Sequence, residues 1–342
     1  MPESALRPLL FQQLEPVIAL HHQTWRADTD PEAFRRYYIE LLHTPWARTH
    51  VRIMGWYAGG RLVSALRVHH LEVLTRGRKR LCAGIGAVLT LPEERGKGHA
   101  SAMIRAALEQ FQNRFHFCLL FSTIGPRLYR RLGFFPLPSY QYVAVARKGR
   151  PTAASPGREE ANSVAQSETL CSDPPPEMQA RPYEPDDLPR LMEIYNLDVS
   201  MRNLGLLRTA AYWNHLFTRE RAEAALLGPS GESHRTWVCL QENRVASYMT
   251  VRTLDDRLQI LESPAESRRF QNWMLDYAFN LSRSEKKSRI EAQVPFHPRA
   301  EEIHVLRQRD TPLAMLAPMH SGLHPQDFPY PDESYLWSRD RF

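Results

Sequence analysis

The chain has 342 residues, of which 43% are hydrophobic and 24% charged, and its formal net charge is +6. This length suits two domains, each large enough to bury its own core. No apolar run is long enough to span a membrane, and neither the Cys/His finger spacing nor an aromatic-basic motif of nucleic-acid binding occurs, so neither a membrane nor a nucleic acid is an expected partner.

The four cysteines are widely separated and lack Cys-x-x-Cys spacing: Cys82, Cys118, Cys171 and Cys239. Most lie in apolar, strand-like runs, which favours buried thiols in a reducing cytoplasm and predicts no metal site. The N-terminal residues carry no export signal, so we expect a cytoplasmic protein.

In chain order, the first elements are two helices over 9–25 and 31–42 and a hairpin of strands over 50–57 and 61–69. Gly59 and Gly60 between the strands supply the positive φ that a tight turn needs. A further strand is predicted around 71–74, and another leads from residue 81 into the apolar run 86–91.

A glycine-rich segment, Arg-Gly-Lys-Gly-His-Ala at 95–100, follows that run. Apolar residues then recur at the spacing of one buried helix face: Ala100, Met103, Ile104, Ala107, Leu108 and Phe111. The glycines therefore precede a helix N-terminus, where free N–H groups and the helix dipole bind a phosphate. A side chain at Gly98 would hold such a ligand away, whereas Arg95 and Lys97 add positive charge. The alternative is a glycine turn without a ligand.

A second motif follows at a suitable distance. An apolar strand over 115–121 leads into 122–134, which ends in Tyr-x-x-x-Gly-Phe at Tyr129 to Phe134. The spacing of the glycines in the first motif is neither that of a Rossmann loop nor that of a Walker loop. Together the two motifs resemble the GNAT superfamily of N-acetyltransferases, well over residues 5–147 and partly over 179–320.

This resemblance implies an α/β fold with a mixed sheet and acetyl-CoA as cosubstrate. The residues that it assigns to acetyl-CoA are Val88, Leu89, Thr90, Arg95, Gly96, Lys97, Gly98, His99, Ala100 and Ser101. It implies direct transfer of the acetyl group to a primary amine of a small molecule or of lysine. Backbone N–H groups of 88–90 would stabilise the oxyanion, and Tyr129 would protonate the departing thiolate. Alternatively, Tyr129 only packs against the pantetheine.

The general base is harder to assign, because the strand over 81–88 carries no carboxylate or imidazole. His70 and Glu72 share one face of the preceding strand and are candidates. The segment 122–136 resembles the Eis-like branch, which has tandem GNAT-like regions and in which a terminal carboxylate enters the active site. That resemblance makes the carboxylate of Phe342 the expected base, although this chain is shorter and has a long linker.

The predicted organisation is a catalytic GNAT domain over 1–148, a Pro/Ser-rich linker over 149–178 and a GNAT-like domain over 179–342. Arg7-Pro8 and the helical pattern after it recur 174 residues later at Arg181-Pro182. A second strand and helix follow at 257–262 and from Phe270, but the segment 263–269 between them has no glycine. We therefore expect a second copy that lacks the cofactor site. The alternative is a chance likeness between two α/β halves.

For the acceptor, Trp25 with Asp28, Asp30 and Glu32 offers an aromatic wall and negative charge, although helix capping explains the acidic residues equally well. The leading hypothesis is an acetyl-CoA-dependent N-acetyltransferase. The rival is a non-catalytic protein that binds acetyl-CoA as a sensor or scaffold. The sequence leaves homo-oligomerisation open.

Overall fold

The computed structural model describes residues 5–137, 140–146, 178–228, 233–293, 303–309, 313–319 and 339. Its framework is two mixed sheets, one of eight strands and one of seven. The first sheet contains β1 (Ala5–Pro8), β2 (Val51–Ala58), β3 (Arg61–Thr75), β4 (Arg78–Thr90), β5 (Phe117–Ser122), β6 (Phe135–Pro136), β9 (Leu204–Leu206) and β15 (Leu313–Pro318). The second contains β7 (Tyr140–Ala146), β8 (Met178–Pro182), β10 (Ser233–Gln241), β11 (Arg244–Thr253), β12 (Arg257–Glu262), β13 (Arg289–Ala292) and β14 (Ile303–Arg309).

Eight α-helices lie in the described part of the chain: α1 (Glu15–Trp25), α2 (Pro31–His43), α3 (Pro45–His50), α4 (His99–Phe111), α5 (Arg127–Arg130), α6 (Leu188–Ser200), α7 (Ala210–Leu227) and α8 (Arg268–Ser284). Short 3-10 turns precede α1, α4 and α6 at Phe11–Gln13, Pro92–Glu94 and Pro185–Asp187. None of the described helices is both long and apolar enough to cross a membrane.

The predicted order of helices and strands in the first half is confirmed, with two local differences. The hairpin of β2 and β3 turns at Gly59 and Gly60, whose φ angles are +59° and +78°. The strand expected around 71–74 is the continuation of β3, which runs unbroken to Thr75. Helix α3 was not predicted; Thr44 caps it and Pro45 begins it, because proline fits a first helical position.

The internal repeat is present in the fold. β1 and α1 correspond to β8 and α6, and each of these strands pairs at an edge of its own sheet. β4 and α4 correspond in the same way to β12 and α8. The linker expected at 149–178 lies outside the described residues except for Met178, which begins β8.

The two sheets exchange a strand. β7, which precedes the linker, lies between β13 and β14 of the second sheet. β15, from the end of the chain, lies between β5 and β6 of the first sheet. β9 also joins the first sheet by pairing with β3. Each sheet is thus completed by the other half, so the sheets do not coincide with the two sequence halves, and the predicted domain limits stay a prediction.

The first sheet is covered on both faces. One face packs against α1, α2, α3 and α7, and the other packs against α4 and α5. Helix α7 also contributes Trp213, which is fully buried, to the core of the second sheet. Cys82, Cys118 and Cys239 are free and buried, as expected from their apolar surroundings, while Cys171 lies outside the described residues. The cytoplasmic location stays a prediction.

Candidate active site

A gap opens between β4 and β5. The two strands pair in parallel from Cys82 opposite Phe117 to Ile85 opposite Leu120. Beyond these residues they are no longer paired with each other, although β4 continues to Thr90 and stays paired with β3 on its other side. The backbone of 86–90, which includes Val88, Leu89 and Thr90, therefore borders a wedge-shaped opening in the sheet.

A β-bulge lies at this border. Between the pairs Ala65–Leu89 and Arg67–Gly86, β4 advances by three residues while β3 advances by two. β4 therefore has one extra residue in this stretch, which includes Ala87. The φ of Ala87 is +46°, an unusual value for a residue with a side chain. A bulge interrupts the ladder and leaves backbone groups unpaired. Unpaired N–H groups here are suitable donors to an oxyanion.

The glycine-rich loop connects β4 to α4. Gly96 and Gly98 have φ angles of +80° and +83°, and a Cβ at either position would project into open space. No side chain caps the helix. The first intrahelical bond runs from the N–H of Ala102 to the carbonyl of Gly98, at 3.0 Å. The N–H groups of His99, Ala100 and Ser101 precede that bond, so they are available to an anion.

The charged side chains around this loop differ in whether a carboxylate neutralises them. Glu94 accepts from Lys97 Nζ at 2.9 Å and lies 3.3 Å from His99 Nε2. The hydrogen bond from Lys97 lowers the pKa of Glu94, so this carboxylate is ionised and offsets the lysine. Arg95 donates from Nε to the carbonyl of Thr90 at 3.3 Å and contacts no carboxylate among the described residues. Arg95 is therefore the flanking cation best suited to a phosphate.

Tyr129 lies in α5 on the same face of the sheet as α4. Its side chain is 7% exposed and packs in one apolar cluster with Met103 and Ile104. Gly133, at a φ of +87°, turns the chain so that Phe134 packs edge-on to Tyr129 at 6.0 Å. Burial raises the pKa of Tyr129, so the phenol keeps its proton.

A cavity of about 610 Å³ lies on the opposite face of the first sheet. Its walls come from α1, α2, α3 and β3 on one side and from α7, β10, β11 and β12 on the other. Six aromatic side chains line it: Trp25, Phe34, Tyr37, Tyr38, Trp46 and Tyr212. Its charged lining is mainly basic: Arg26, Arg67, Arg219, Arg252, Arg257 and Arg339, with Glu223 as the carboxylate.

Two residues of the cavity lining lie beside the part of β4 where its pairing with β5 ends. Arg67 and His69 of β3 line the cavity and lie directly opposite Gly86 and Gly84 of β4. Residues directly opposite in an antiparallel pair share a face and have Cα atoms about 4.5–5.5 Å apart. Because glycine has no side chain, β4 contributes no side chain beside Arg67 and His69 on this face of the sheet.

The histidines of the cavity are neutral at physiological pH. Burial lowers the pKa of His21 to about 3, with help from Arg67. Burial, with Arg219 next, lowers the pKa of His215 to about 3. Burial also holds the pKa of His69 well below its usual range. These rings add no positive charge to the arginines around them.

The candidate bases expected from sequence do not line the cavity. His70 points to the α4 face, where its ring lies 5.2 Å from that of Phe115, and Glu72 is exposed. His69, on the alternate face of β3, lines the cavity instead. Phe342, whose carboxylate the resemblance makes the base, lies outside the described residues, and its role stays a prediction.

Of the two roles considered for the acidic residues near α2, helix capping is confirmed for Asp30. Asp30 accepts from the N–H of Ala33 at 2.7 Å and caps α2, and Asp28 and Glu32 are not among the lining residues, whereas Trp25 is. The basic lining of the cavity was not predicted from the sequence. Its arginines are far apart along the chain and meet only when β3, α7 and β11 come together. The alternation of Arg67 and His69 with buried Leu66 and Val68 was the one available signal.

The corresponding loop of the second half is closed. Its carbonyl at Pro264 accepts from Tyr248 N–H at 3.2 Å, and Glu266 N–H donates to Ala246 at 3.1 Å. Pro264 and Ala265 are buried. Because this loop is bonded to β11, it leaves no cradle before α8 like that at Gly98. Within the described residues no group of three or more His, Cys, Asp or Glu side chains is arranged to hold a metal ion.

Comparisons with known proteins agree with this geometry. Residues 5–136 match the family model of the acetyltransferase (GNAT) domain. No curated protein sequence matches the chain. Among solved structures, a protein from Enterococcus faecalis V583, described as a probable N-acyltransferase, is 14% identical with a TM-score of 0.65, and the match covers 95% of this chain and 74% of that one.

Two further structures extend the likeness. Eis1 from Mycobacterium abscessus is 14% identical with a TM-score of 0.57, over 93% of this chain and 74% of that chain. The N-myristoyltransferase of Saccharomyces cerevisiae with bound myristoyl-CoA is 11% identical with a TM-score of 0.51, over 93% of this chain and 83% of that chain. At these identities the likeness shows the fold of both halves.

Proposed function

Residues 5–136 are a GNAT acetyltransferase domain, and from that premise we propose that the chain transfers the acetyl group of acetyl-CoA to a primary amine. The observation that carries the proposal is the start of α4. There, two glycines in the left-handed region and an uncapped helix end leave backbone N–H groups open beside Arg95. This arrangement fits a pyrophosphate, which is bound by main chain and helix dipole.

The residues present fit acetyl-CoA along its length. Gly96, Gly98 and the N–H groups of 99–101 would hold the pyrophosphate, and Arg95 would add a charge-assisted hydrogen bond. The opening between β4 and β5 would take the pantetheine, with Val88, Leu89 and Thr90 along its border. When bound, acetyl-CoA supplies an acyl group activated as a thioester.

Acetyl transfer requires stabilisation of the oxyanion, a proton for the departing thiolate and a group that takes the proton of the amine. The amine nitrogen forms a bond to the acyl carbon, the carbon–sulfur bond breaks, and CoA leaves as a thiol after gaining one proton. Backbone N–H groups near the bulge at Ala87 would stabilise the oxyanion. Tyr129 keeps its proton because burial raises its pKa, which suits a donor to the thiolate. The proton that the amine loses passes to a base or to water in the cavity.

The cavity beside Arg67 and His69 is the proposed acceptor site. It lies across the sheet from α4 and Tyr129, and its lining residues His69 and Arg67 are paired with Gly84 and Gly86 of β4. An amine in this cavity would therefore approach the gap from the face opposite the helix that holds the pyrophosphate.

The test is thiol release from acetyl-CoA by the full chain with a panel of amino acids, polyamines, amino sugars and lysine peptides. Release above the hydrolytic background with any amine supports the proposal. The rival function, a sensor or scaffold that binds acetyl-CoA, is favoured if calorimetry detects binding and no amine is acetylated. One acetyl-CoA per chain is expected, because the second loop lacks glycine and is closed; two per chain would contradict the assignment.

A further inference from the structure

The charges that line the acceptor cavity are unbalanced. Glu223 forms ion pairs with two arginines: its Oε1 lies 2.5 Å from Arg26 Nη2 and 3.9 Å from Arg252 Nη2. Arg339 is neutralised outside the lining, by Glu220 and Glu262. Arg257 is also paired outside the lining, with Asp256 and Glu291. Arg67 of β3 forms no ion pair among the described residues.

Arg67 is the lining arginine best suited to bind an anion. Its side chain is half-buried and lines the cavity together with that of Tyr38. Its Nε is buried without a hydrogen-bond partner, and no carboxylate contacts it within the described residues. A partly buried guanidinium in this state is costly to hold, and a bound carboxylate or phosphate relieves that cost through paired, charge-assisted hydrogen bonds.

The position of Arg67 links this charge to the acetyl transfer. It lies opposite Gly86, the first residue of β4 beyond the last pair with β5 at Ile85. An anion held by Arg67 therefore lies next to the gap through which the acyl group would be reached. The cavity volume of about 610 Å³ falls in the range of small-molecule sites.

We propose that the amine accepted here carries an acidic group, a carboxylate or a phosphate, and that Arg67 binds that group. The aromatic lining, which includes Trp25 and Trp46, packs against the body of the same molecule. The transfer step rests on the proposed function, whereas binding of the acidic amine can be measured without transfer.

The experiment compares amines that differ only in the acidic group. Lysine is paired with 1,5-diaminopentane, and glucosamine 6-phosphate is paired with glucosamine, which separates a carboxylate from a phosphate. Thiol release gives kcat/KM, and calorimetry without acetyl-CoA gives the dissociation constant of each amine. We expect the acidic member of at least one pair to have a kcat/KM about tenfold to a hundredfold higher, mainly through KM.

Variants test whether Arg67 causes the effect. Arg67→Gln should lower kcat/KM for the acidic amine to that of its neutral partner, which abolishes the preference, and Arg67→Lys should restore part of it. Arg221→Gln, at an exposed arginine paired with Glu40 outside the cavity, is the matched control and should keep the preference. If Arg67→Gln does not fold, Arg67→Lys tests the same site, because it keeps the charge but cannot form paired hydrogen bonds, so the preference should be reduced.

The outcomes are distinguishable. Equal kcat/KM within both pairs, or a preference that survives in Arg67→Gln, overturns the inference and leaves the acetyl transfer intact. If no amine is acetylated but calorimetry shows tighter binding of an acidic amine that Arg67→Gln abolishes, the anion site stands and the proposed transfer fails. Equal binding within both pairs as well as no acetylation overturns both.

Discussion

Arg339 donates a hydrogen bond of 2.6 Å from Nη1 to Oε1 of Glu262, and neither side chain is exposed to solvent. The other oxygen of Glu262 accepts from Arg208 at 2.6 Å, and Glu220 accepts from Nε of Arg339 at 2.7 Å. Two arginines and two glutamates therefore balance in the interior. Glu262 ends β12, the counterpart of β4, so the second half holds a buried ion network where the first half has its gap.

Removing one member of this network should destabilise the protein. Glu262→Gln leaves Arg208 and Arg339 without a shared carboxylate, and breaking a buried pair costs about 3–5 kcal/mol. Urea denaturation measures the change in the free energy of unfolding. Glu193→Gln, at a largely exposed carboxylate that pairs with Arg190, is the control and should cost less than about 1 kcal/mol. If both variants lost the same free energy of unfolding, burial of the network would not explain its contribution to stability.

Binding of acetyl-CoA should depend on the start of α4. Gly98→Asp puts a charged side chain at a φ of +83° where the pyrophosphate is expected, so it should weaken binding more than Arg95→Ala, which removes about 1.5–3 kcal/mol. Calorimetry gives both affinities. Gly77→Asp places the same residue at a similar φ, +73°, in the turn between β3 and β4, at the opposite end of β4 from this loop, and controls for backbone strain. Near-wild-type affinity of Gly98→Asp would exclude this loop as the site.

Tyr129→Phe separates the two roles considered for this residue. If the phenol donates a proton to the thiolate, kcat should fall by about a hundredfold or more while the affinity for acetyl-CoA holds. If Tyr129 only packs, the variant should turn over at the wild-type rate, because phenylalanine retains the ring. The measurement is steady-state thiol release beside calorimetry. Tyr57→Phe, on the distant β2 strand, serves as the control.

Stability should fall in acid. Burial lowers the pKa of His21 and His215 to about 3 in the folded state, against 6.5 when exposed. Between these values the unfolded chain binds more protons, so the free energy of unfolding decreases as the pH drops below 6.5, by up to about 1.4 kcal/mol per pH unit for each ring. Denaturation midpoints across pH 4–8 test this.

A variant shows whether His21 contributes to that dependence. His21→Phe keeps an aromatic ring beside Trp25 and Tyr38 but removes the titration, so the slope should become shallower. The same substitution at His43, which is exposed, is the matched control. An unchanged slope in His21→Phe would assign the acid sensitivity to other groups.

The strand exchange predicts that neither half folds alone. A fragment of 179–342 lacks β7, which lies between β13 and β14, and a fragment of 1–148 lacks β15, which lies between β5 and β6. The two fragments should be stable only when produced together, and they should then copurify. A protease site placed within 150–170 should be cut without separating the halves. A monomeric, cooperatively folded 179–342 fragment would contradict this.

Local sequence patterns were enough to predict most elements of the first half and the glycine-rich loop before α4. The periodicity after Ala100 and the two glycines before it specify a helix start with positive φ, and the structure has both. Gly133 likewise marks the turn that brings Phe134 onto Tyr129. Such signals are readable because helix spacing, turn geometry and capping depend on residues within a few positions of one another.

Only the tertiary structure decided which residues form the proposed acceptor cavity and which strands complete each sheet. Arg67, Arg219 and Arg252 lie in three different elements, and no local pattern indicates that they share a cavity. β7 and β15 are apolar strands that could have paired within their own halves; which sheet each one completes depends on the match of edges and faces across the whole chain. The sequence by itself determined the helix start and the fold class, since these follow from short-range chemistry. The charge of the proposed acceptor site, in contrast, depends on contacts between residues that are distant in sequence.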